Sequence, residues 1–70
     1  MNAKNVYKLL SAHIMMTDLA AQIVRFEMSV KRKKTTPETS SEFIDSAMNT
    51  VVVCSEMLAS VIEDECQIED

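Results

Sequence analysis

The sequence predicts an all-α protein, an antiparallel two-helix hairpin, and three observations carry that prediction. The 70 residues include no Gly and a single Pro, Pro37, whereas sheets and loop-rich folds draw on Gly for turns with positive φ. Apolar residues make up 47% of the chain and recur every seven positions in two long stretches, the period of packed helices. Between the stretches, Thr36-Pro37-Glu38 reads as a helix start in mid-chain, because Thr caps well and Pro has no N–H to leave unpaired in the first turn.

The first helix is expected over about residues 5–32. Leu9, Met16, Ile23 and Val30 recur every seven positions, and Ala12, Leu19 and Phe26 fall three later each time, which makes an a/d seam. Val6, Leu10, Ala20 and Val24 flank it, and Ile14, Ala21 and Met28 extend the arc. The apolar sector spans roughly 200° of the helical wheel, leaving a polar strip of Lys8, Ser11, Asp18, Gln22, Arg25, Ser29 and Arg32. A helix packed on one neighbour needs a narrower stripe. This one is suited to two contacts.

A turn over about residues 33–36 leads into the second helix, over about 37–66. Thr36 is one possible N-cap; Thr39 is another, because Thr39-Ser40-Ser41-Glu42 has the spacing of a capping box. Ile44, Ala47, Val51, Cys54, Leu58 and Val61 form its seam. Met48 and Ile62 widen it on one side and Met57 on the other, with Asn49, Glu56 and Glu63 opposite. Val51-Val52-Val53 is a local conflict, since β-branched residues favour strands. The surrounding period makes it helical, at about half a kcal/mol per Val relative to Ala.

The connection is short and the helices are similar in length, which suits antiparallel neighbours. Lys31-Arg32-Lys33-Lys34 closes the first helix, and Glu38, Glu42 and Asp45 open the second, both in the sense that complements the helix dipoles. Folding back is expected to bring Lys4 and Lys8 alongside Glu63, Asp64 and Glu65. A hairpin of this size leaves much apolar surface wet. The expected completion is a four-helix bundle, formed by homodimerisation or with a protein partner.

Charge and composition narrow the function. A net charge of −4 and a pI near 4.8 disfavour general nucleic-acid and anionic-membrane binding. Asp18, Arg25 and Glu27 interrupt the first apolar stretch, and Asp45 and Glu56 bracket the second, so no membrane span is expected. A cleaved leader is not expected either, because the apolar pattern continues in phase to Val30. Cys54 and Cys66, twelve positions apart, would sit about 18 Å apart along a helix, beyond disulfide reach. They read as reduced thiols of a cytoplasmic protein.

Chemistry-bearing residues are few. His13, the sole His, would lie near the level of Cys54 to Glu56. A Cys–His pair can be drawn there, but no oxyanion donor or third orienting group accompanies it, and the plain reading is a half-buried His satisfied by Glu56 or water. Met15, Met16, Met28, Met48 and Met57 follow helical apolar spacing and read as core or interface filler, not soft-metal ligands. The carboxylates lack the inward Glu-x-x-His pairs of a di-metal bundle. Cys66 has nothing nearby to mark it as catalytic.

The expected function is therefore a non-enzymatic protein-binding module, an adaptor, co-chaperone or inhibitor, that acts through apolar helical faces as a dimer. Ile14, Met15, Met28, Val52 and Val53 are the candidate protein interface. Glu56, Glu63, Asp64 and Glu65, with Glu69 and Asp70, are a candidate acidic recognition face. No catalytic residue, cofactor, metal, membrane or small-molecule substrate is implied. The alternative is a dimeric nucleic-acid-binding regulator using Lys31, Arg32, Lys33 and Lys34 with Lys4, Lys8 and Arg25.

Overall fold

A computed structural model describes residues 1–66. It is an all-helical hairpin of two helices, α1 (Ala3–Lys31) and α2 (Pro37–Glu65), each 29 residues long and packed along each other. Val51, Val52 and Val53 are helical, their strand preference overridden by the packing around them.

α1 begins two residues earlier than the apolar period indicates, because a polar cap extends it. Asn2 is the N-cap, and its side-chain oxygen accepts from the Asn5 N–H at 2.8 Å. At the other end the backbone closes in a Schellman arrangement: the Lys34 N–H donates to the Ser29 carbonyl and the Lys33 N–H to that of Val30, both at 3.0 Å. Lys33 takes the left-handed conformation that this motif needs, with φ 56°. A residue with a Cβ pays about 1 kcal/mol there. The turn obtains without Gly what Gly usually supplies.

α2 starts at the first of its two candidate caps. The Thr36 hydroxyl accepts from the Thr39 N–H at 3.1 Å, and the Thr39 hydroxyl accepts from the Thr36 N–H at 2.9 Å. Thr39 is thus the third helical residue and completes the box instead of beginning the helix.

The seam between the helices buries Ala12, Leu19, Cys54 and Val61. Near the tip, Phe26 stacks on Phe43 with ring centroids 4.3 Å apart and planes 3° from parallel. At mid-length, the Cys54 thiol points at the Ala12 carbonyl, 3.8 Å away. At the open end, the fully buried Asn5 amide donates to Asp64 at 3.0 Å and Glu65 at 2.6 Å. Hydrogen bonds to ionised acceptors are the stronger kind, so this pair ties the start of α1 to the end of α2. Lys4 and Lys8 come alongside this acidic end as expected, but among the described residues neither forms an ion pair with its carboxylates: Lys8 donates to Ser60 at 2.6 Å, and Lys4 is exposed.

The seam also differs in rotation from the one that the apolar period indicates. The rows Ala12/Leu19/Phe26 and Ala47/Cys54/Val61 do face the partner helix. Their companions are Lys8, Met15, Gln22 and Ser29 on α1 and Phe43, Thr50 and Met57 on α2, all partly buried. Met16, Ile23 and Val30 of α1 and Ile44, Val51 and Leu58 of α2, expected in the seam, are 41–52% exposed; Leu9 is partly buried. Adjacent rows of a packed helix lie about 50° apart, so a 200° apolar arc fits several seams equally well. The polar interactions choose among them. Asn5, Lys8 and Ser60 bond across the pair only when the hairpin closes on the margin of the arc, next to its polar strip.

Candidate interaction surface

The rotated seam leaves a defined apolar face. Met16 stands four positions after Ala12, and Val51 four after Ala47, so both displaced rows turn from the seam in the same sense. In an antiparallel pair, rows displaced in the same sense fall on the same side. Leu9, Met16, Ile23 and Val30 therefore share one broad side of the hairpin with Ile44, Val51 and Leu58. None of these seven residues carries charge or a hydrogen-bonding group in its side chain. Val6 and Ala20 border the face along α1, and Met48 and Ile62 along α2; all four are exposed. The opposite side carries the Lys8–Ser60 hydrogen bond and, on α1, the pair in which Gln22 donates to Asp18 at 2.9 Å.

Large contiguous apolar patches are uncommon on monomeric soluble proteins, which makes this side a candidate interaction surface. Only four apolar residues are buried among those described, so the hairpin covers a small part of its own hydrophobic surface. No family model, curated protein or solved structure matches this chain. Its surface must speak for it.

The residues singled out from the sequence divide between several places. Ile14, Met28 and Val52 are exposed, on rows that point away from the other helix. Met15 and Val53 are partly buried beside the seam, because the rotation that freed Met16 and Ile23 drew them in. Glu56 and Glu63 are exposed, whereas Asp64 and Glu65 are engaged by Asn5. Glu69 and Asp70 lie outside the described residues. The tip residues Lys31, Arg32, Lys33 and Lys34 are all exposed, and Lys31 pairs with Glu27 at 2.9 Å.

His13 is exposed rather than half-buried, while Cys54 is enclosed in the seam, so their shared level along the hairpin does not make them a pair. Among the described residues no three His, Cys, Asp or Glu side chains converge and no pocket indents the surface. Neither described helix is long and apolar enough to cross a membrane.

The sequence contained the rows of this face but not their role. Gln22 and Ser29, polar residues recurring with Lys8 and Met15, were the available sign that the hairpin closes beside them.

Proposed function

We propose that this chain is a non-enzymatic helical binding module whose flat apolar face joins helices of another protein chain in a four-helix bundle. One observation carries the reading: seven uncharged apolar residues on one side of both helices, six of them close to half exposed. Layered helical folds cover such faces with further helices. Covering this one would convert the flank rows of each helix into the second seam that the wide apolar arc of α1 implies.

The test compares two pairs of substitutions in the full chain by analytical ultracentrifugation. Ile23→Glu with Val51→Glu places charge on the flat face. Ile14→Glu with Val52→Glu places the same charge on the outward rows. The first pair is expected to abolish association with any partner that accompanies the wild-type chain, itself included, and the second to leave it largely intact. A wild-type chain that stays a helical, unaccompanied monomer at every concentration would remove the basis of the proposal.

A further inference from the structure

We infer that the occupant of the flat face is a second copy of this chain, lying antiparallel so that each hairpin tip meets the other copy's open end. The inference rests on the binding reading above and names its partner.

Size is the first argument. The face is two helices wide, and its rows run from Leu9 to Val30 on α1 and from Ile44 to Leu58 on α2. Leu9 to Val30 covers about 32 Å of helix rise, and the hairpin is 18 Å across. The footprint is on the order of 600 Å², the lower end of the share that each partner contributes to a stable interface. One foreign helix would leave half of it wet. Two helices of this length are needed, and a second copy supplies both in the correct spacing.

Self-complementarity is the second argument. A twofold interface brings the same patch together on both copies, so a patch with unpaired charge would repel itself. The seven face residues carry no charge.

The ends of the hairpin decide the direction. Lys31, Arg32, Lys33 and Lys34 sit at the tip, where they outnumber Glu38 and Glu42, and Glu63, Asp64 and Glu65 sit at the open end, where Lys4 and the Met1 amino group offset them in part. Parallel copies would crowd two basic tips together. Antiparallel copies set each tip beside the other's carboxylates, and complementary charge of this kind fixes orientation and register. In that arrangement α1 runs against α1 of the second copy and α2 against α2, each antiparallel.

Native Cys66 makes the orientation measurable. It is exposed at the open end, whereas Cys54 is buried. In an antiparallel dimer the two Cys66 thiols are separated by about the length of a helix, ~43 Å. A short bis-maleimide should leave the wild-type dimer unlinked. Lys34→Cys adds a thiol at the tip and should give a covalent dimer in high yield, lost again when Cys66→Ser is added.

Light scattering after size exclusion, over a hundredfold range of concentration and with circular dichroism, is run on the same samples. A helical species of twice the chain mass with this linking pattern is the expected result. Efficient Cys66–Cys66 linking in the wild type overturns the antiparallel arrangement. A helix-poor monomer or an irregular aggregate overturns the second copy as occupant while leaving the binding reading in place. A helix-rich monomer throughout overturns both.

Discussion

Two residues hold the hairpin in unfavourable ways that a substitution can expose. Lys33 is left-handed at φ 56° in a turn that has no Gly. Lys33→Gly removes the Cβ that makes this conformation costly, though it also loosens the unfolded chain. The net expectation is a gain of about 0.5–1 kcal/mol, read as a higher denaturation midpoint in urea with an unchanged slope. A loss of stability would mean that the Lys33 side chain contributes something the geometry does not show. Asn5 is fully buried, donates to two carboxylates, and leaves its own carbonyl oxygen without a partner. Asn5→Asp replaces the shared donor by a third negative charge against Asp64 and Glu65. It should destabilise the hairpin at neutral pH by about 2 kcal/mol or more, and hydrogen exchange should show faster opening at residues 60–66. Unchanged protection there would show that the lock is dispensable.

At the scale of the helix, the start of α2 depends on a single cap. Thr36→Ala deletes the hydroxyl that accepts from the Thr39 N–H and should cost about 1 kcal/mol, with chemical-shift changes confined to residues 36–41. Glu42→Ala, which would break the rival Thr39–Glu42 box, should do almost nothing, and equal effects would return Thr39 to candidacy as the cap. Both helices and their connection were legible in the sequence because each rests on local chemistry: the seven-residue period, the Thr-Pro start and the basic helix end. The seam was legible only by half. Ala12, Leu19, Phe26, Ala47, Cys54 and Val61 were correctly faced inward, but Met16, Ile23, Val51 and Leu58 were not distinguishable from their neighbours by hydrophobicity. What separates them is non-local. Asn5 must meet Asp64 and Glu65 some sixty positions away, and no periodicity reports such a pairing. The face that carries the proposed function became visible only once that rotation was known.

At the scale of the molecule, exposure in the hairpin and burial in an assembly predict opposite results for one substitution. Ile23 is 48% exposed and Ile14 is 66% exposed. For a lone hairpin both are surface positions, where substitutions usually shift stability by about 0.5 kcal/mol or less. Ile23→Glu and Ile14→Glu should then lower Tm by similar, small amounts. If the flat face is packed against another hairpin, Ile23 is a core residue of the whole. Ile23→Glu then buries an unpaired carboxylate and should cost several kcal/mol, while Ile14→Glu remains mild. With about 4–8 °C per kcal/mol for a domain of this size, the two variants should differ by more than 10 °C. Mass action adds a second sign: folding coupled to association makes the wild-type Tm rise with protein concentration, and Ile23→Glu should flatten that dependence. Equal melting of the two variants, together with a wild-type Tm independent of concentration, would mean that the hairpin stands alone despite its exposed apolar rows. Sixteen large apolar side chains are exposed among the described residues, against four buried apolar ones. A core so small rarely sustains a chain of this length by itself, so the stability of the fold and the occupancy of its flat face are expected to be one equilibrium.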